Sequence, residues 1–308
     1  MPIHLDPRSR RRFFRDSAIL TLAPSALVTG QAQAATTSTW ALLADTHIAA
    51  DPEFRARDTH LADNLRAVVA DLLKEKESLS GVFIDGDCAY NDGQPGDYTT
   101  LAAILQPLVD AKIPIHFTLG NHDNRETFYE TYANHAESSA LESKHCSVIE
   151  TPQADWILLD TLRFVNKVEG ELGTEQREWL RERLRKNPEK PALLVGHHYP
   201  QVVREDVIPS EKKIKIAGLI DSREFLDTLT ENPAAKAYIY GHSHSWSLKK
   251  EPSGVHLVNL PPTAYVFKEG RPNGWVRATL SPKGMQVELR CIDQDHSLHG
   301  ELKELSWR

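Results

Sequence analysis

The chain has 308 residues, 40% of them hydrophobic and 26% charged, and a net charge of -7. That size and composition fit one large soluble α/β domain with a sizeable buried core. The first 34 residues hold five arginines against two aspartates, so the rest carries -10 to set against the +3 at its start; an acidic body of this kind argues against a broad nucleic-acid-binding surface.

The N-terminal segment reads as an export signal. Ser9-Arg10-Arg11-Arg12-Phe13-Phe14-Arg15 resembles the twin-arginine motif, an apolar stretch runs from Ala18 to Val28, and Ala32-Gln33-Ala34 is a small-residue cleavage site. The apolar stretch is far shorter than the ~20 residues a transmembrane helix needs. The expected organisation is a signal over residues 1–34, handled by the twin-arginine translocase, and one mature domain over 35–308. Its expected location is periplasmic or secreted, with no membrane span after processing.

Strands and helices then alternate. Trp40 to Ala44 reads as a strand, and Leu61 to Glu75 as a helix with Leu61, Leu65, Val68, Val69, Leu72 and Leu73 at helical spacing. Gly81 to Asp85 is the second strand, Tyr98 to Val109 a helix, Ile113 to Leu119 the third strand, and Thr127 to Glu137 a short polar helix. Trp156 to Asp160 is a further strand. Thr174 is expected to cap a helix running to about Lys186. Pro191 to Gly196, Ala237 to Gly241, Val255 to Asn259, Trp275 to Leu280 and Met285 to Ile292 read as strands, with a helix over Ser222 to Thr230. Pro272-Asn273-Gly274 and Pro282-Lys283-Gly284 mark turns. Cys88, Cys146 and Cys291 make an odd count without CxxC spacing, which indicates neither a disulfide framework nor a thiolate metal site. Cys88 reads as a buried small residue beside Asp87.

Five short clusters carry the chemistry: Asp45-Thr46-His47, Gly86-Asp87, Gly120-Asn121-His122-Asp123, Gly196-His197-His198 and Gly241-His242-Ser243-His244. All stand where a strand runs into a loop, and all but the first open with glycine. A pair of divalent ions about 3.5 to 4 Å apart needs a bridging carboxylate and several nitrogen or oxygen ligands. Hard oxygens mixed with imidazoles suit Mn, Fe or Zn.

In this order the clusters resemble the calcineurin-like metallophosphoesterase superfamily, over about residues 40 to 245. The resemblance implies a four-layer α-β-β-α sandwich of two mixed sheets with flanking helices, in a single domain. It implies one metal held by Asp45, His47, Asp87 and His244 and a second by Asp87, Asn121, His197 and His242, with Asp87 bridging two divalent or trivalent transition-metal ions. His122 would face the substrate and protonate the leaving alkoxide. Asp123 would support that chemistry by orienting the imidazole or its neighbours. His198 would be a supporting group or a substrate contact. Arg125 is placed either to reach a phosphate or nucleotide oxygen or to form an ion pair. His60, His116, His135, His145 and His256 fit no motif.

Local sequence leans toward the branch of bacterial cyclic-nucleotide phosphodiesterases and glycerophosphodiesterases: Asp92-Gly93 with Tyr98, Asn121 to Arg125, and His197 to Pro200. The expected activity is hydrolysis of a small phosphodiester by a metal-bound hydroxide, without a covalent enzyme intermediate. An acid phosphatase-like phosphomonoesterase, a catalytically silent metal-binding or interaction protein, and a nuclease are the alternatives. Gly86-Asp87-Cys88-Ala89-Tyr90 also resembles the purple acid phosphatase branch, but that branch lacks the histidine of Asp-x-His, so Tyr90 reads as a loop or core residue. Residues 126–144 and 202–217 are expected to wall the pocket.

Overall fold

The computed structural model describes residues 37–132, 139–201 and 215–308, and the backbone of 4–5. The export segment, apart from the short strand β1 (His4–Leu5), lies outside the described residues, as do His135 and residues 202–214. The chain continues as β2 (Ser38–Ala44), the hairpin β3 (Arg55–Ala56) and β4 (Thr59–His60), α1 (Leu61–Lys74), β5 (Leu79–Asp85), α2 (Pro95–Asp110), β6 (Ile115–Thr118) and α3 (Arg125–Thr131). The second half comprises β7 (Ser147–Glu150), β8 (Asp155–Leu158), α4 (Thr174–Lys186), β9 (Ala192–Val195), α5 (Ser222–Glu231), β10 (Ala235–Tyr240), β11 (Ser247–Lys250), β12 (His256–Asn259), β13 (Gly274–Ser281), β14 (Gly284–Cys291) and β15 (Leu302–Ser306).

Two large sheets result. One has the order β1-β6-β5-β2-β13-β14-β15 and the other β11-β12-β10-β9-β8-β7. Each has a parallel centre, β6-β5-β2 and β12-β10-β9-β8, flanked by antiparallel strands. Parallel strands need cover on both faces, so they read as continuous apolar runs. In β2, Trp40, Leu42 and Ala44 face a core shared with Trp156, Leu193, Val195, Ile239 and Val258 of the opposite sheet. Ala41 and Leu43 face a second core, under α1 and α2. A third core packs Leu180 and Leu184 of α4 and Phe225 and Leu229 of α5 on Leu194 and Tyr238. Three cores separate four layers, helices, sheet, sheet and helices, as the family resemblance implies.

Leu61, Leu65, Val68, Val69 and Leu72 form the buried stripe of α1. Each such side chain contributes roughly 1.5–3 kcal/mol on burial. Three helix starts differ from expectation for local reasons. The helix expected over Thr127 to Glu137 opens at Arg125, because the Asn124 side chain accepts from the Glu126 N–H and caps it there, and it ends at Thr131. Pro95 begins α2 three residues ahead of Tyr98, where its fixed φ is preorganised for a first helical position. Thr174 is the first helical residue of α4 rather than its cap, because Gly173 holds the capping position. All three cysteines are buried and free. No helix among the described residues is long and apolar enough to cross a membrane.

Candidate metal centre

The five clusters leave the carboxyl ends of five parallel strands, β2, β5 and β6 in one sheet and β9 and β10 in the other. Ligand sites in open α/β sheets form at these ends. Here two sets of ends converge. Within the first sheet, the N–H groups of Asp45 and His47 donate to the carbonyls of Gly86 and Asp87 at 3.2 and 2.9 Å. Between sheets, the His242 N–H donates to the Asp45 carboxylate at 3.1 Å, and His197 Nδ1 meets the Asp85 carbonyl at 3.0 Å.

The motif glycines have a steric cause. A Cβ on Gly86, whose φ is +65°, would lie 2.6 Å from the His197 ring, and one on Gly120 would run into the Asp87 carboxylate and amide. The ligand loops close over one another only because those side chains are missing. Backbone strain gathers at the same place. Nine non-glycine residues among those described have positive φ, and five are Asp45, His47, Asp87, His242 and His244, between 46° and 66°. A side chain in that region costs on the order of 1–2 kcal/mol, so the surrounding hydrogen bonds over-determine these positions.

Three donor groups come within metal-sized spacing: Asp45, His47 and His244; His47, Asp87 and His122; and Asp87, His197 and His242. His47 Nε2 and His244 Nε2 face each other at 3.0 Å, with Asp45 Oδ1 3.4 Å from the latter. His197 Nε2 stands 3.2 Å from Asp87 Oδ2, and His47 Nε2 stands 3.7 Å from the same oxygen. Asn121 is buried beside them, and its Oδ1 has no hydrogen-bond partner.

Each imidazole is anchored through one nitrogen to a backbone carbonyl. His47 Nδ1 meets Tyr90 O at 3.3 Å, His244 Nδ1 meets Tyr265 O at 2.6 Å, and His242 Nε2 meets Ala217 O at 2.8 Å. His122 Nδ1 meets Asn91 O at 2.6 Å. A nitrogen facing a carbonyl must carry the proton, which leaves the other as a lone-pair donor. The arrangement thus supplies neutral imidazole ligands.

The electrostatics ask for cations. Asp45 and Asp87 are buried, and their ion-pair partners among the described residues are histidines rather than lysine or arginine. Burial works to raise both carboxyls, but the rings of His244 and His197 outweigh it for Asp45, and His197 holds Asp87 well below the usual range. Burial pushes the His47 and His242 rings down to about 4. At His197 burial is overcome by Asp87 and Asp45, which raise the ring to about 10. A buried carboxylate pair that draws positive charge toward itself suits a cation site. The orphaned Asn121 oxygen and facing imidazole nitrogens fit metal ions as well.

The neighbouring residues have distinct surroundings. His122 is half-buried on the cavity wall, and its N–H donates to Asp87 Oδ1 at 2.9 Å. Asp123 is fully buried and accepts from the N–H groups of Cys88, Ala89 and Gly120 and from the Tyr98 hydroxyl, at 2.8 to 3.2 Å. It clamps the Asp87 loop to the Asn121 loop, and so orients neighbours of His122 rather than its ring. Burial and the Asp87 charge raise its carboxyl to about 6, against those backbone donors. His198 is fully buried, with Nδ1 2.7 Å from the Thr161 hydroxyl and its ring 4.6 Å from that of His242. Its ring also meets that of His197 edge-on at 5.1 Å, and it is not part of the cavity lining. Arg125 forms the ion pair: Nε and Nη2 donate to the buried Asp160 carboxylate at 2.6 and 2.7 Å, and Nη2 also to Leu162 O.

A cavity of about 350 Å³ opens over the donors. His47, Asp87, Asn121, His122, His242 and His244 line it, with Val168, Tyr199, Ala217, Ser243, Tyr265 and Phe267 completing the wall. Ala217 belongs to the segment expected there. None of the described residues of 126–144 lines the cavity, and Val168, Tyr199, Tyr265 and Phe267 supply wall that the sequence did not indicate. Tyr90 packs its ring on Phe54 at 4.5 Å and is absent from the lining. The sequence offered no motif for Tyr265, Phe267 or the Asp160 partner of Arg125.

Two sheets delivering this donor set to one cavity define a metal-dependent phosphoric ester hydrolase. The chain belongs to the calcineurin-like phosphoesterase family, which matches residues 39–246. It is 27% identical over 263 residues to a probable cyclic nucleotide phosphodiesterase of Synechococcus sp., covering 84% of this chain and 94% of that one. It is 25% identical to the 3',5'-cyclic adenosine monophosphate phosphodiesterase CpdA of Haemophilus influenzae, covering 85% and 88%. In fold it resembles a dimetal phosphatase from Danio rerio, with a TM-score of 0.67 at 16% identity over 88% of this chain and 99% of that one.

Proposed function

We propose that this is an exported phosphodiesterase that hydrolyses a small diester of the cyclic-nucleotide or glycerophosphodiester type at a two-metal centre. The relatives named above support the substrate class, and the arginine-rich start with its apolar stretch supports export. Asp45, His47, Asp87 and His244 would hold one ion, and Asp87, Asn121, His197 and His242 the other. When bound, such ions activate water and neutralise charge on the phosphoryl oxygens. Asp87 lies between the two donor groups, and the His122 N–H holds its second oxygen. His122 keeps Nδ1–H on Asn91 O, and in its imidazolium form the other ring nitrogen would give its proton to the departing alkoxide, leaving the neutral ring. Asp123 and His198 act as positioning residues.

The similarity to phosphodiesterases over most of the chain carries the diester reading. The described lining agrees with it, since Arg125, the arginine beside the Asn121 loop, is committed to Asp160. A diester monoanion needs less cationic compensation beyond two ions than a monoester dianion. The test compares kcat/KM for an aryl phosphodiester and the matching monoester, on mature protein loaded with Mn, Fe or Zn. Preference for the monoester with all three metals would replace this reading with the acid phosphatase-like one.

A further inference from the structure

The two donor groups are enclosed differently. Asp45, His47 and His244 are each at most 1% exposed, whereas His242 of the second group is half-buried. What covers His47 and His244 is a pair of aromatic rings. Tyr265 stacks on His47, with centroids 5.2 Å apart and planes 25° apart, and lies 4.8 Å from the His244 ring. Phe267 stacks on His244 at 4.1 Å and 23°. Phe267 is itself 51% exposed, so it stands between this ligand and solvent.

A guanidinium completes the stack. Arg57 lies over both rings, 5.5 Å from the Tyr265 centroid and 5.1 Å from that of Phe267. It is carried there by the β3–β4 hairpin, whose two-residue loop puts Arg57 and Asp58 at φ of 49° and 60°, as a type I′ turn requires. Phe54, just before the hairpin, packs edge-on against Tyr90, and the Tyr90 carbonyl is the one that faces His47 Nδ1. The segment that carries the two rings is pinned as well. The N–H groups of Thr263 and Ala264 donate to the carbonyls of Ala44 and Asp45, Asn64 Nδ2 of α1 donates to Ala264 O at 2.7 Å, and the Tyr265 carbonyl holds His244 Nδ1.

His47, His244 and Arg57 already occupy the faces of these rings, so the stack acts on the ligands rather than on a substrate. We infer that Tyr265, Phe267 and Arg57 are positioning residues that lock His47 and His244 and thereby slow the escape of the ion that Asp45, His47 and His244 would hold. An ion escapes as its ligands let go in turn. The His244 ring cannot tilt away without leaving Phe267 and breaking its bond to the Tyr265 carbonyl, and the His47 ring cannot do so without leaving Tyr265. Outer partners that fix a ligand ring in this way strengthen metal binding. His242 in the second group meets other imidazoles and, at 5.7 Å, the Tyr199 ring, with no guanidinium stack among the described residues. The inference rests on the two-metal reading of the centre and adds which ion is held longer and by what.

The test measures metal release rather than turnover. Zinc-loaded wild type, Phe267→Leu, Phe267→Tyr and Arg57→Ala are mixed with an excess of a colorimetric chelator, after metal content and Tm have been measured in each. An aromatic pair is worth about 2- to 12-fold and an exposed cation–π contact about 2- to 5-fold. In Phe267→Leu one ion per chain should therefore leave about 2- to 12-fold faster than in wild type while the other keeps its rate. Arg57→Ala should speed the same ion by about 2- to 5-fold. Phe267→Tyr keeps the ring and should keep the wild-type rates. Leucine is apolar too, so a change seen with Leu and spared with Tyr reports the stack rather than apolar cover. Unchanged release in Phe267→Leu, or equal acceleration of both ions, would overturn the inference and leave the two-metal centre standing. A wild type that takes up fewer than two ions would remove the two-metal reading and the inference with it.

Discussion

Arg125 offers a test of whether a guanidinium beside a catalytic loop binds substrate or builds the fold. It opens α3, one turn after Asn121, and both donors of its fork reach Asp160, which is fully buried. Asp160 also accepts from the N–H groups of His145 and Leu162 at 2.7 and 3.0 Å. Arg125→Met keeps the apolar stem and leaves that carboxylate in the interior without its counter-charge. Removing one partner of a buried pair costs about 3–5 kcal/mol. The Arg125 side chain is 27% exposed, so solvent screens part of the loss and the expected cost is near ~3 kcal/mol. In a domain of this size that lowers Tm by about 6–12 °C. Asp160→Asn should cost no less, because each carboxylate oxygen accepts two donors and an amide nitrogen would face one of those pairs. Burial opposes ionisation of Asp160, but Arg125 outweighs it and its carboxyl lies below the usual value. A lowered folded-state value means that the stabilisation is complete above the ordinary carboxylate range and is lost as pH falls through the folded value. The stability gap between wild type and Arg125→Met should therefore narrow in acid and not in alkali. Thermal and urea unfolding followed by circular dichroism measure it. A guanidinium that touched a phosphoryl oxygen would instead contribute ~1.5–3 kcal/mol to binding, about 10- to 150-fold in KM. A rise of that size in KM with unchanged Tm would refute the structural assignment.

Three further outcomes are expected. The mature protein should carry about two transition-metal ions per chain, and Asp87→Ala should lose both; full occupancy in that variant by elemental analysis would contradict the bridging role. His122→Ala should keep its metals and fold and lose roughly 10²- to 10⁴-fold in kcat; near-normal turnover of an ester with a poor leaving group would exclude it as the proton donor. Changing Arg10 and Arg11 together to Lys should hold the precursor in the cytoplasm; unchanged periplasmic delivery on fractionation would point to another route.

The central strands and the donor clusters were legible because the same physics writes both. A parallel strand buried on two faces must be apolar, as Trp40 to Ala44 and Leu193 to Val195 are, so it stands out. The change to Asp, Asn and His at its end then marks where the backbone leaves the sheet. The elements that were missed lie where that contrast fades. β7, β11 and β15 are edge strands, half solvated, and β11 carries Lys249 and Lys250 on an exposed edge. Charges there protect an edge from pairing with another chain, and they also hide the strand in the sequence.

The same contrast explains why the donors could be read and the cavity wall could not. A donor has to be one of a few residue types, and each of these sits within a few residues of a strand end, so the chain itself brackets it. A wall residue has only to be apolar and near. Val168 reaches the cavity on a loop after β8, and Tyr265 and Phe267 reach it on a segment between β12 and β13, where the Thr263 and Ala264 N–H groups donate to the Ala44 and Asp45 carbonyls. Those two bonds lay the wall segment beside the first donor loop, across more than 200 residues of chain. Nothing local to Phe267 records that contact. Reaction class is therefore written in the strand ends, where chemistry restricts the residue types, while the enclosure of the centre is written in the loops that the two sheets happen to bring over them.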